Sequence, residues 1–289
     1  VAAAGRLEDI FNQPTERTPG APRPQPVCTP GAIALEQVHF SYPAAEEGQL
    51  VLKDVSLSIE AGQWVGIVGP SGGGKTTLVN LISRFYDALE GQILIDDVDV
   101  RDYDLGDLRR AVGVVLQEAF LFSDTVMNNL KYARAGATDE ECIEAAKQAN
   151  AHEFIEHLPQ GYDTMLTDRG SNLSQGQRQM VTIARAMVAD PKIMILDEAT
   201  SNVDTRTEKL IQDGLRKLME GKTGFSIAHR LATIRDSSRI MVVNGGVIVE
   251  MDSHDKLMAE KGLYYNLFMS QFKGKGPGGD VDTSGFVST

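Results

Sequence analysis

The sequence predicts an α/β fold: a parallel core sheet, an antiparallel β unit at its start and a helical insertion in its middle. Three observations predict it. The continuous apolar runs "WVGIVG", "VGVVLQ" (112–117) and "KIMILD" (192–197) have strand length, as in a parallel sheet covered on both faces. The first strand-like segments alternate apolar and polar residues, as half-buried strands do. Between about 119 and 190 the apolar residues recur instead at helical spacing.

Taken in order, "TPGAPRPQPVCTPG" is proline-rich, and proline blocks helix and sheet ladders alike, so residues 1–32 are a linker. Its leading "VAAAGRLEDIF" is too short and too charged for a secretory signal, and has the pattern of the end of a helix continued from an absent segment. The globular unit runs over 33–272. Ile33, Leu35, Val38 and Phe40 mark a first strand; Val55, Leu57 and Ile59 mark a second, turning at Ala61-Gly62. After "WVGIVG", Leu78, Leu81, Ile82 and Phe85 share one helical face. In the insertion, Ile143, Ala146, Phe154, Ile155 and Leu158 predict one helix, and "GQRQMVTIARAMVAD" a second that stops before Pro191. "GFSIAH" is a further strand, and "IMVVNGGVIVE" a hairpin turning near Asn244-Gly245. The Gly-rich, polar residues 273–289 form a disordered tail.

Composition narrows the function classes. The chain has 289 residues, 42% hydrophobic and 24% charged, which suits a soluble protein with a sizeable core. A net charge of −12 argues against nucleic acid as a partner, because counterion release needs a basic surface. Cys28 and Cys142 lack metal-ligand company and point to a reducing compartment. No apolar run approaches the ~20 residues that span a bilayer, so any membrane part comes from another segment or chain.

The chemistry concentrates at the ends of the apolar strands. "GPSGGGKTT" matches G-x-x-x-x-G-K-[ST] between a strand and an amphipathic helix, the context a phosphate loop requires. Gly69, Pro70, Ser71, Gly72, Gly73 and Gly74 form the loop, whose glycines let backbone amides converge on phosphate oxygens, and the helix end adds positive charge. Lys75 can reach the β- and γ-phosphates; Thr76 offers a hydroxyl to Mg²⁺, and Thr77 completes the set. This makes the core that of a phosphate-loop NTPase. Asp197 emerges at the carboxyl end of "KIMILD", where ligands of open α/β sheets bind, and is placed to hold Mg²⁺. Glu198 is the candidate general base for the attacking water. Gln117 and His229 each end an apolar run: the first can ligate the metal and orient water, the second can donate to a γ-phosphate. Tyr42 can stack on adenine. A second anion-holding loop is "SNLSQGQ", where Ser174 stands at an N-cap position and Gly176 permits close backbone approach.

In this order, Tyr42, "GPSGGGKTT", Gln117, "LSQGQ", "ILDEATSNVD" and His229 resemble the nucleotide-binding domain of an ATP-binding cassette (ABC) exporter, of multidrug or lipid type, over about residues 33–272. The resemblance implies ATP and Mg²⁺ as cofactors and a helical signature subdomain over about 119–190. It also implies head-to-tail pairing, with Ser174, Gly176 and Gln177 reaching the γ-phosphate in the partner's site and Asp204 lying in the loop that crosses to the partner. A transmembrane domain and a place on the cytoplasmic face of the cell membrane follow from the same likeness. "GYDTMLTDRG" resembles the exporter segment that meets the membrane domain, with Asp168, Arg169 and Gly170 as coupling residues. Phe120, Leu121 and Phe122 are expected to form an exposed apolar patch that needs a partner. Gln175 stands where the family usually has glycine, and "SNVD" replaces the commoner "SALD". These departures predict a weakened partner site in a heterodimer; a homodimer with two working sites is the alternative. The competing class is a soluble ATPase of the same superfamily.

Overall fold

The computed structural model of the chain describes residues 11, 31–43, 49–197, 203–227, 234, 235 and 237–273. β1 (Ile33–Phe40) lies between β2 (Leu52–Ile59) and β4 (Glu90–Ile95), antiparallel to both, and the short β5 (Val98–Asp99) completes a sheet of order β2-β1-β4-β5. The apolar phase of β1 jumps by one residue between Leu35 and Val38. The jump is a β-bulge: Leu35 pairs with Leu57 but Val38 with Val55, and Gln37 between them takes φ 48°. Both pairs of apolar residues therefore face the same core. The chain enters this sheet through an anchor. The Asp96 carboxylate accepts hydrogen bonds from the amides of Gly31 (3.0 Å) and Ala32 (2.9 Å).

The second sheet has the order β10-β9-β3-β8-β7-β6. Its parallel part is β9 (Arg239–Asn244), β3 (Trp64–Val68), β8 (Thr223–Ile227), β7 (Ile193–Asp197) and β6 (Val112–Val115). β10 (Val247–Asp252) closes one edge antiparallel to β9, through a two-residue turn in which Gly245 and Gly246 both have positive φ (58° and 86°). Strand periodicity divides β7 between two cores. Ile193 and Ile195 join the apolar cluster under α1 (Lys75–Ile82) and the antiparallel sheet; Met194 and Leu196 join the cluster under the helical insertion.

Helices run between β6 and β7: α3 (Val126–Lys131), α4 (Asp139–Gln148), α5 (His152–Glu156) and α6 (Gln175–Ala189). The helix predicted through Leu158 is two helices, because Asn150 adopts φ 58° and ends the first. The buried face of α4 is Cys142, Ala145 and Ala146, with Ile143 only partly covered. α2 (Leu105–Ala111) precedes β6, α7 (Thr205–Met219) links β7 to β8, and α8 (His254–Glu260) and α9 (Leu263–Lys273) are the last of the described helices. Phe85 departs from its predicted place in the core. α1 stops at Ile82, Arg84 turns the chain at φ 51°, and Phe85 is 54% exposed beneath the Arg109 guanidinium, 5.4 Å from its ring centre. Among the described residues no helix is long and apolar enough to cross a membrane.

Candidate functional site

β3 is buried along most of its length and delivers the chain directly into the loop Gly69–Gly74, with α1 starting at Lys75. Gly69 sits at φ 145°, and a Cβ there would lie 1.9 Å from the Val243 carbonyl oxygen of β9. The loop is held by its own sheet: Gly73 donates to the Pro70 carbonyl and accepts from the amide of Gly246, both at 3.1 Å. The glycine at 69 is therefore demanded by packing inside the chain, beyond any approach of a ligand. Lys75 is buried, and its Nζ donates to the carbonyls of Gly69 and Pro70, each at 2.9 Å. Pro70, Ser71 and Gly72 are exposed along the loop, and Thr76 presents its side chain to solvent.

Tyr42 joins this loop from the end of β1. Its hydroxyl and that of the buried Thr77 lie 2.9 Å apart. Tyr42, Val51, Gly72, Gly73, Gly74, Lys75, Thr76 and Thr77 line one cleft of ≈ 270 Å³. An aromatic ring, a run of glycine amides, an ammonium and a hydroxyl thus converge from segments that the sequence separates by about thirty residues.

The register places the acidic residue on the same edge. Ile67 of β3 pairs with Ile227 of β8, and Ile227 with Asp197 of β7, so Asp197 ends its strand two strands from the one that feeds the loop. β6 stops at Val115, two residues earlier than the run "VGVVLQ" predicts, and Gln117 stands exposed just beyond it. Hydroxyl and carboxylate oxygens such as those of Thr76 and Asp197 suit Mg²⁺, which takes one or two carboxylates plus phosphate oxygens rather than a protein cage. No group of three His, Cys, Asp or Glu forms such a cage among the described residues. Glu198 and His229 lie outside the described residues.

The second loop is built differently. Ser174 caps α6: its hydroxyl accepts from the Gln177 amide (3.2 Å), and the Gln177 side chain accepts from the Ser174 amide (2.9 Å). Met180, Val181, Ile183, Ala184 and Val188 bury one face of this helix. Gly176 is buried against its own chain, where a Cβ would come within 2.2 Å of Thr207 Cγ2 on α7. Asp204 caps α7 by accepting from the amides of Arg206 and Thr207, both at 3.1 Å, and the bonds to Thr207 hold its carboxyl below the usual range. Two helix N-termini therefore sit side by side, with Thr207 as the spacer. Thr207 had no signal in the sequence, since its role depends on a contact across thirty-one positions. Ser174, Gly176 and Gln177 do not line the Tyr42 cleft.

A further cleft of ≈ 550 Å³ is lined by Glu118, Ala119, Asp168, Arg169, Ser171, Gln175 and Arg178. It brings the residue after Gln117 together with the acid–base pair of "TDRG". The apolar patch expected beside it is rearranged. Leu121 is fully buried, while Phe120 is 49% exposed and its ring leads through Phe122 to Tyr132, at centroid spacings of 5.2 and 4.4 Å. Three consecutive side chains outside a helix do not share one face, so the patch draws on residues separated in sequence.

A family model described as "ABC transporter" matches residues 52–201. The chain is 51% identical over 241 residues to an ATP-dependent lipid A-core flippase of Syntrophus aciditrophicus, covering 83% of this chain and 39% of that protein. It is 46% identical over 269 residues to a fatty acid ABC transporter ATP-binding/permease protein of Mycobacterium bovis, covering 92% and 42%. Among solved structures, a bacterial Atm1-family ABC exporter with ATP bound is similar with TM-score 0.85 and 39% identity, covering 96% of this chain and 47% of the other. The chain thus spans less than half the length of these relatives.

Proposed function

The chain belongs to the ABC transporter family, and from that premise we propose that it is the ATP-binding and ATP-hydrolysing motor domain of an exporter, working as one half of a pair. The observation that carries the proposal is the division of labour between its two loops. Tyr42 and the phosphate loop share one cleft, and the Ser174 cap is absent from its lining. A second copy, or a homologous domain, would supply that missing face. Relatives named for lipid and fatty acid transport, each more than twice as long as the matched segment, support a transmembrane partner and a place on the cytoplasmic face of the membrane. In this reading residues 1–32 connect to that membrane part, 33–272 are the nucleotide-binding domain with its helical part at about 119–190, and 273–289 are a tail.

Tyr42 stacks on the adenine ring. Lys75 exchanges the carbonyls of Gly69 and Pro70 for β- and γ-phosphate oxygens, and the loop amides take up the remaining charge. Thr76, Gln117 and Asp197 would hold Mg²⁺, and an ion bound there would neutralise phosphate charge. Glu198 draws a proton from the attacking water, and His229 donates to the γ-phosphate. Ser174 accepts a hydrogen bond from Gln177, which leaves its hydroxyl proton to point at the partner's γ-phosphate, backed by the positive end of α6. The loop of Asp168, Arg169 and Gly170, together with Gln117, passes the opening and closing of the pair to the membrane domain. Gln175 bears on the partner's site, which favours a heterodimer.

The test is the mass of the purified chain by light scattering with ATP, with ADP and without nucleotide, for wild type and Glu198→Gln. ATP-dependent pairing that persists in Glu198→Gln, with weak turnover by the self-paired chain because Gln175 then lies at both sites, is the expected result. A chain that neither binds ATP nor changes mass would reject the motor reading. Self-dimers that hydrolyse ATP at both sites would reject the heterodimer.

A further inference from the structure

We propose that Tyr86 is a positioning residue for the nucleotide base: it touches no ligand itself, but holds the Tyr42 ring in place over the phosphate-loop cleft. The inference rests on the reading of Tyr42 as the base-stacking residue given above. Three rings form a closed triangle. Phe40 and Tyr42 stand 5.0 Å apart at 84°, Tyr42 and Tyr86 5.2 Å apart at 87°, and Phe40 and Tyr86 5.6 Å apart at 55°. Near-perpendicular contacts at these spacings are the favoured geometry of aromatic pairs. Phe40 is fixed in the core of the antiparallel sheet at 2% exposure, so it forms the immobile corner. Tyr42 is tied at its far end to Thr77. That leaves Tyr86 to close the remaining side.

Tyr86 can serve as a wall because its own turn is pinned. Arg84, at the turn after α1, donates to the carbonyls of Val100 (3.2 Å) and Arg101 (3.3 Å) and to the Asp87 carboxylate (2.9 Å). Phe85 donates its amide to Asn80 and Leu89 donates its amide to His39, so the turn is bracketed on both sides. Without the Tyr86 ring, Tyr42 keeps one aromatic neighbour and one hydrogen bond, and its side chain gains freedom that base binding must then remove. A ring held in advance binds the base better; the phosphate contacts are the same either way.

The test separates the base from the phosphates. Dissociation constants for ATP, and inhibition constants for inorganic tripolyphosphate, are measured on the full chain for wild type, Tyr86→Leu, Tyr86→Phe, Tyr42→Ala and the Tyr42→Ala/Tyr86→Leu double variant. Tyr86→Leu keeps the apolar bulk, so the fold is retained. It should weaken ATP about threefold to tenfold, the size of one edge-on aromatic pair, and leave tripolyphosphate unchanged. Tyr86→Phe should match wild type, and the double variant should bind ATP no more weakly than Tyr42→Ala alone. Unchanged ATP affinity in Tyr86→Leu, or a parallel loss of tripolyphosphate, would overturn the inference alone. Failure of the wild-type chain to bind ATP would overturn the reading of the site and this inference with it.

Discussion

Lys75 shows how much one residue depends on its loop. Buried and bonded to two carbonyls of the loop it follows, it is a donor already aimed at the place where the phosphates would sit. Charge-assisted hydrogen bonds contribute about 1.5–3 kcal/mol each, so Lys75→Ala should weaken ATP binding about tenfold to a hundredfold by calorimetry. Glu198→Gln should instead keep ATP affinity and lower turnover by about 10²–10⁴, the range of general-base catalysis; turnover at the wild-type rate would remove Glu198 from that role. At this scale the sequence was legible where chemistry fixes the spacing, as in "GPSGGGKTT". It was misleading where a residue's neighbours come from afar. Phe85 reads as a core residue by helical phase, yet the Arg84 turn, set by carbonyls of Val100 and Arg101, carries it to the surface. Gly176 reads as a gap for a ligand, and the structure adds a gap for the methyl of Thr207.

Among the elements, α6 carries the most consequence. Its N-terminus is set by the Ser174–Gln177 capping box and by the fit of Gly176 against α7. Ser174→Ala should cost about 1 kcal/mol of stability through the lost cap, read as a melting temperature lower by about 2–4 °C. Gly176→Ala should cost about 1–3 kcal/mol by overpacking, and Thr207→Ser in the same chain should restore part of it by removing the obstructing methyl. Denaturant unfolding of the two single variants and the double measures the coupling; strict additivity would show that the contact does not set the position of α6. The cap was legible because serine followed three residues later by glutamine is a local signal. The break at Asn150 was not, since nothing local distinguishes a left-handed asparagine from a helical one.

At the level of the whole molecule, the α/β class and the parallel character of the core sheet followed from the apolar runs, whereas the order of its strands did not. The β4–β5 ribbon and the C-terminal helices carry weaker patterns, and they earn their places through tertiary contacts. Tyr264 is fully buried with its hydroxyl 2.8 Å from His254 Nδ1, and Tyr162 makes the same contact to His152 at 2.9 Å. Burial pushes both phenols up to about 12. Their folded pKa values lie above the ordinary value near 10, so their contribution is fully present below pH ~10 and is lost as pH rises through about 12. On the acid side, Asp99, Asp124, Glu141, Asp204 and Asp252 are held below the usual carboxylate range, so their contribution is present above pH ~4 and lost below it. Unfolding free energy measured from pH 3 to 12 should therefore show a plateau that falls at both ends. Flat stability between pH 10 and 12 would contradict the tyrosine assignment.

The anchor at Asp96 has a mechanical consequence. Gly31 and Ala32 are tied to it beside Ile193 and Thr223, the first residues of β7 and β8, on the edge of the core sheet opposite the phosphate loop. Tension arriving along the preceding chain would be met first by β1, which is laddered to β2 on one side and β4 on the other. A pull along a strand so flanked loads many hydrogen bonds in shear rather than opening them one at a time. A pull on Ala32 would then move the domain bodily while the opposite rim of the core sheet keeps its shape.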